Sequence, residues 1–385
     1  REVPGHERSE AALAVWDDLC ARLPRRALRS AWEEARLEGH EDQVLAVAVE
    51  GSGSRALTGG LDATVRLWDL ATRKAEASLP GHEGAVTAVA FSGSSRAVSA
   101  GRDRTVRLWE LATLRTVAVL EGHGETVAAV DATADGARAA SASWDGTVRL
   151  WDLRRQALLR VLEGHGAQVA AVRLSPDGQV VASGGWDGTA RLWDAESGRE
   201  LGALAGHEGN VTAVALHADG RQVATGVEDG RVLIWDARTR RREKELRGHA
   251  GEITGLAFTP DGRFLLSGSR DRAVRVWDLQ RGGTVRTLPH PALVLGLALT
   301  PVASVLLTAC GDRCARLWHF DWEPEAAAAT AVPPLAKAAP TARMGGETIR
   351  ARVAATQAPR PTLREDLRRA APLAVPALPR AARRV

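Results

Sequence analysis

A histidine, a hydroxyl 17 or 18 residues later, and an aspartate four residues beyond that recur seven times in this chain. The sets are His40/Thr58/Asp62, His82/Ser99/Asp103, His123/Ser141/Asp145, His165/Ser183/Asp187, His207/Thr225/Asp229, His249/Ser267/Asp271 and His290/Thr308/Asp312. Each taken singly has the makings of a hydrolase triad, with a hydroxyl nucleophile, an imidazole base and an orienting carboxylate. Six residues past each aspartate stands a tryptophan: Trp68, Trp109, Trp151, Trp193, Trp235, Trp277 and Trp318. A catalytic site is needed once, whereas a group that holds a structural unit together is needed in every unit. The repetition therefore points to architecture. Indole N–H, hydroxyl, imidazole and carboxylate can satisfy one another in a buried chain of hydrogen bonds, a structural tetrad. With the sets so assigned no catalytic residue is left over, and no enzymatic activity is expected.

The elements that position these groups follow from the period. Successive closing tryptophans are 41 or 42 residues apart, a repeat length at which one supersecondary unit stacks on the next. In the fourth copy, Val169–Leu174 alternates after His165, the turn Ser175-Pro-Asp-Gly178 leads to Val180–Ser183, and Asp187-Gly188 turns into Ala190–Trp193. Arg199–Leu204 then leads to the next Gly-His. Short strands joined by Asp-Gly turns are antiparallel hairpin chemistry. Four strands per unit around an axis make an all-β propeller of seven blades. The last copy supplies three strands before Phe320-Asp-Trp-Glu-Pro324, while Trp32–Leu37, before Gly39-His40, matches the fourth strand of other copies. This N-terminal strand is predicted to complete the last blade and remove an exposed edge.

Three regions are expected on this basis. Residues 1–29 form a helical lead-in, with Ala12, Val15, Leu19 and Leu23 at helical spacing up to Pro24. Residues 30–322 form the seven-bladed propeller. Residues 323–385, rich in Ala, Pro and Arg and without period, read as a disordered basic tail. Within it, Leu363 and Leu367 share one face of a short stretch with capping-box form.

Gly-His, Ser/Thr, turn Asp and closing Trp-Asp resemble the WD-repeat (WD40) β-propeller family over about three quarters of the chain. Departures are Glu110 and His319 after the tryptophan in copies two and seven, and Pro289-His290 in place of Gly-His. The resemblance implies a rigid platform for other proteins, usually without enzymatic activity. More weakly, Glu2-Val-Pro-Gly-His-Glu-Arg8 and Arg316-Leu-Trp-His-Phe-Asp-Trp-Glu323 look like the flanks of bacterial WD-repeat regions that follow a serine/threonine kinase or a helical-repeat domain. No kinase glycine loop, catalytic loop or Asp-Phe-Gly signature accompanies them.

Where the copies differ, a partner can be read. The residue before each turn aspartate is Leu61, Arg102, Trp144, Trp186, Glu228, Arg270 and Gly311 in turn; the third residue after each histidine includes Gln168, Asn210 and Glu252. Trp144 and Trp186 lie outside the structural tryptophan series, in adjacent copies, and tryptophan and arginine are the residue types that anchor interfaces. Acidic residues Glu41, Asp42, Glu83, Glu125, Glu208 and Glu252 follow the histidines, which suits a ligand with basic and apolar groups. The expected binding residues are Trp144, Trp186, Arg102, Arg270, Glu228, Gln168, Asn210 and Glu252, on a monomeric scaffold for a peptide or protein.

Charge and cysteine content set the alternatives. Residues 324–385 hold eleven Lys/Arg against four Asp/Glu, so the basic character lies in the tail and the remainder, at 40 against 43, is slightly acidic. Nucleic acid is thus expected to bind, if at all, through the tail. Regulation of a bacterial kinase is the other alternative. Three cysteines are too few for a disulfide framework, which suits the cytoplasm, and no apolar run is long enough for a membrane span. Cys310 and Cys314 with His290 and His319 sketch a zinc site, but the two cysteine positions are mostly Gly, Ser or Thr in the other copies. The cysteines read as strand residues, and no metal or cofactor is expected.

Overall fold

The computed structural model describes residues 25–324. These fold into seven four-stranded antiparallel sheets and no helix. Blade four shows the plan, with strands Val169–Leu174, Val180–Gly185, Ala190–Asp194 and Glu200–Leu204 hydrogen-bonded in sequence order. The first strand of each blade touches the first strands of both its neighbours, and the ring closes between Val44–Val49 of blade one and Val294–Leu299 of blade seven.

Blade seven is completed from the far end of the sequence. Strand Arg25–Glu38 pairs antiparallel with Cys314–Pro324, giving the order N-terminal strand, Cys314–Pro324, Val305–Cys310, Val294–Leu299. The pairing reaches beyond the predicted Trp32–Leu37. Arg25–Arg29, assigned above to the helical lead-in, are strand, because the last strand runs on through Phe320–Pro324 and offers them a ladder. Leu28, Phe320 and Trp322 are buried in the core that this extension makes. The remaining lead-in, the rest of the tail and the Leu363/Leu367 segment lie outside the described residues.

Each of seven apolar clusters draws on two adjacent blades, so the cores lie between blades. Every closing tryptophan sits in the cluster shared with the preceding blade; Trp109 packs with Leu57, Leu67 and Val86. Burying 150–250 Å² of indole at ~25 cal/mol per Å² contributes about 4–6 kcal/mol before entropy is counted. Glycine allows the close approach this needs. A Cβ on Gly226 of blade five would lie 2.7 Å from Ile253 Cβ of blade six.

Candidate functional site

An indole N–H can only donate, and that fixes the direction of each chain of hydrogen bonds. In blade one, Trp68 Nε1 donates to Thr58 Oγ1 at 2.8 Å. The hydroxyl therefore gives its own proton to His40 Nε2, 2.6 Å away, and His40 Nδ1–H donates to Asp62 Oδ2 at 2.8 Å. In blade two the hydroxyl is that of Ser99, which accepts from Trp109 at 2.8 Å and donates to His82 at 2.7 Å; His82 in turn donates to Asp103. Ser141 holds the same place in blade three, between Trp151 and His123, with Asp145 beyond. Ser183 links Trp193 to His165 and Asp187 in blade four, and Ser267 links Trp277 to His249 and Asp271 in blade six. Backbone N–H groups lock the aspartate: the residue after the histidine donates to Oδ2, as Glu41 does, and the residue two past the aspartate donates to Oδ1, as Thr64 does.

Burial decides against the hydrolase-triad chemistry that each set suggests in the sequence. Thr58, Ser99, Ser141, Ser183, Thr225, Ser267 and Thr308 are all 0% exposed. No ligand reaches them, so as site residues they serve the interior of the blade and belong to no binding surface. Burial also lowers the pKa of His40, His82, His123 and His249 although their aspartates pull upward, so the rings are neutral. Burial pushes Asp145 upward, but donors from Thr147, His123 and Gly124 together outweigh it and hold its carboxyl at about 2. With its hydroxyl walled off and its imidazole already bonded on both nitrogens, the set offers no nucleophile to a substrate.

Blades five and seven correct the expectation of seven equal tetrads. In blade five Arg231 stands where blades one to four have threonine two residues past the aspartate. Its permanent charge outcompetes a neutral imidazole: Arg231 Nε donates to Asp229 Oδ2 at 2.6 Å and Nη1 to Glu208 Oε2 at 2.9 Å. His207 turns instead to the carbonyl of Gly188 in blade four, 3.1 Å from Nδ1, keeping Thr225 on Nε2 and lying 4.9 Å from the Trp235 ring. Burial pushes its pKa down to about 4. In blade seven, Pro291 follows the histidine and has no N–H to give, and Cys314 replaces the threonine. Asp312, without the N–H that follows the histidine elsewhere and without the threonine hydroxyl, pairs with the buried Arg316, whose other partner is Glu33 of the N-terminal strand at 3.1 Å. His290 donates to the Leu288 carbonyl, and Trp318 Nε1 has no partner among the described residues. Cys310 and Cys314 rest on the Thr308 hydroxyl and the Asp312 carbonyl. Burial pushes the Cys310 thiol up to about 12. Among the described residues no three potential ligands cluster.

The two series of variable residues meet in the loops of one face. In every blade the backbone N–H of the residue before the turn aspartate donates to the carbonyl of the third residue after the histidine, as Trp144 does to Thr126 (3.0 Å) and Trp186 to Gln168 (2.8 Å). These pairings aim the side chains away from the blade core. Trp144 and Trp186 are 38% and 42% exposed, and their rings meet across the blade boundary with centroids 6.3 Å apart and planes tilted by 40°. Beside them lies an open cleft of about 510 Å³ lined also by Gly166, Gln168 and Asn210. Gln168 Oε1 is buried there without a hydrogen-bond partner.

Four of the other expected contact residues are engaged with one another in pairs. Asn210 Nδ2 donates to Glu228 Oε2 at 2.8 Å, and Arg270 pairs with Glu252 at 2.8 Å. Arg231, not singled out from the sequence, likewise ties up Glu208; its place in a threonine column was the available signal. Arg102 is exposed, and Glu41, Asp42, Glu83 and Glu125 make no ion pair among the described residues, so the acidic rim runs along blades one to three.

Comparison with known proteins accords with this geometry. The family profile described as WD40, WD domain, G-beta repeat, matches residues 32–69, 73–110, 114–152, 156–194, 198–236, 240–278 and 282–319. Two curated Arabidopsis thaliana proteins are similar over short stretches. The U3 snoRNP-associated protein-like YAO is 38% identical over 58 residues, which is 15% of this chain and 12% of that protein. The U3 snoRNP-associated protein-like EMB2271 is 38% identical over 60 residues, 16% of this chain and 12% of its own length. The chain thus spans about an eighth of the relatives it matches. No helix among the described residues is long and apolar enough to cross a membrane.

Proposed function

The chain belongs to the WD40 family, whose propellers generally serve as protein-interaction scaffolds, and on that premise we propose that it binds a peptide or exposed protein segment at the Trp144/Trp186 cleft. The observation that carries this reading is the pair of half-exposed indoles in mutual contact on adjacent blades. Five other blades place Leu61, Arg102, Glu228, Arg270 or Gly311 at the same position. Two large apolar rings held rigidly at a surface supply contact area at little entropic cost. The neighbouring acids favour a segment that combines basic with apolar side chains.

The match to the two plant proteins covers little more than one 42-residue repeat, so it reflects the repeat and carries no argument for a ribonucleoprotein partner. Both proteins come from a plant, and the bacterial-kinase reading gains no support from them. The test is a fluorescence-polarisation screen of the full chain against an array of basic–aromatic peptides, followed by the double variant W144A/W186A. Hits should weaken at least 30-fold, the size of a hot-spot loss of ~2 kcal/mol, while the melting temperature stays within a degree or two. Retained affinity in the double variant refutes the site.

A further inference from the structure

A second break in the repeat lies inside the ring. At one equivalent position of the innermost strands five blades carry alanine, namely Ala48, Ala90, Ala215, Ala257 and Ala298. Blade three has Asp131 there and blade four Arg173. The equivalence is one of register, since each pairs with the residue just before the tetrad hydroxyl, as Ala48 does with Leu57, Asp131 with Ala140 and Arg173 with Ala182. All seven line one cavity of about 840 Å³. It opens where the inner strands end, at turns such as Glu50–Ser52, on the side opposite the tryptophan cleft.

The cavity wall also carries Phe91, Leu174, Leu216, Phe258 and Leu299, with Glu50, Ser52, Ser94, Thr259 and Thr300 among them. Its charged groups differ in how far they are satisfied. Glu50 is held by Arg55 at 2.9 Å and by Ser52 and Ser54. Asp131 Oδ2 accepts the backbone N–H of Leu174 from the next blade at 2.8 Å. Arg173 is half-buried; it attracts the Asp131 carboxylate electrostatically, and no hydrogen bond or ion pair of its side chain is formed among the described residues. A guanidinium carries five donors, and none of those of Arg173 is spent on the fold. Nothing in the fold requires it, because five sister blades close the same ring with alanine.

We propose that this channel mouth is a binding site for a small organic monocarboxylate, its carboxylate seated on Arg173 and its apolar body against Phe91, Leu216 and Phe258. A planar carboxylate matches the guanidinium fork in two parallel hydrogen bonds. The head carries one negative charge and not two, because each further charge would be repelled by the Asp131 carboxylate while Arg173 supplies a single cation. This site is separate from the Trp144/Trp186 cleft and stands whether or not that cleft binds peptides.

The experiment is calorimetric titration of the full chain with sodium decanoate, decanol and decyl phosphate. Decanoate should bind saturably at one site per chain, and decanol and decyl phosphate at least tenfold more weakly. Arg173→Ala, the residue that five sister blades already carry, should lower decanoate affinity at least tenfold without changing the melting temperature by more than a degree or two. Arg173→Met, which keeps the bulk, should lose the same affinity, and Asp131→Asn should gain severalfold. The proposal is overturned if decanoate shows no saturable binding to millimolar concentration, if decanol binds equally well, if decyl phosphate binds more tightly, or if either Arg173 variant keeps wild-type affinity.

Discussion

Thr58→Val and Thr308→Val are the same isosteric change at equivalent, fully buried positions in blades one and seven, yet the hydrogen bonds predict unequal costs. Thr58 Oγ1 accepts from Trp68 at 2.8 Å and donates to His40 at 2.6 Å. Valine leaves an indole N–H and an imidazole nitrogen unpaired in the interior. At about 1.5 kcal/mol for each orphaned group the loss is about 3 kcal/mol. In blade seven Trp318 Nε1 has no partner among the described residues, and Thr308 bonds His290 at 3.0 Å with only long contacts to the Cys310 sulfur and the Arg316 carbonyl besides, so the loss is about 1–1.5 kcal/mol. For a body of this size, with unfolding entropy near 2.1 cal/mol/K per residue, 1 kcal/mol lowers the melting temperature by roughly 1.5 °C. Scanning calorimetry should therefore show a fall of roughly 4–5 °C for Thr58→Val and roughly 2 °C for Thr308→Val. Equal falls, or a larger one in blade seven, would refute the account of the tetrads as cooperative chains of unequal completeness.

Two further outcomes follow from the same geometry. Burial lowers the pKa of His40, His82, His123, His207, His249 and His290 below 6.5. The unfolded chain then binds more protons below pH 6.5, so stability is fully present above that pH and lost on acidification. For His207, held at about 4, the loss at pH 5 is about 2 kcal/mol; a urea midpoint that stays constant or rises from pH 7.5 to 5 would contradict the neutral-ring assignment. Gly226→Ala forces a methyl against the β-branched Ile253 and should cost about 1–3 kcal/mol. Adding Ile253→Ala should recover part of that loss in a denaturation double-mutant cycle, and strict additivity of the two changes would count against the close approach.

Much of the fold is legible because a repeat is its own alignment. Seven copies of one pattern separate what the blade needs, the hydroxyl–histidine–tryptophan set, from what varies. Ser99, Ser141 and Ser267 show the limit of that reading: the pattern pairs each with a histidine and an aspartate, but only burial tells a structural hydroxyl from a nucleophile. The completing strand is found by the same comparison, since Trp32–Leu37 matches a strand missing elsewhere. Its first half is not, because Arg25–Ala31 has no counterpart in another blade; it is strand only because Phe320–Pro324 extends beside it. The unequal tetrads are also written in the chain, at Arg231 and Pro291, but reading them requires knowing which donors secure the aspartate. Asp131 and Arg173 stand out in a column of alanines, yet only the geometry puts them on the wall of one cavity. The indole–indole contact of Trp144 and Trp186 depends on how far apart adjacent blades sit, which no spacing within one strand encodes.

The completing strand has a consequence for how the ring comes into being. Glu33 and Arg316, joined at 3.1 Å, are 283 residues apart. At a synthesis rate of about 5–20 residues per second, the N-terminal strand waits roughly 15–60 s for its partner to be made. Blades one to six can form meanwhile from hairpins whose contacts are local, which close in microseconds. Throughout that interval Leu28 and Leu37 have no sheet to join, and blade one has no neighbour on its open side. The molecule is therefore most exposed to aggregation just before completion, and the last step of its folding is the docking of its oldest strand onto its youngest.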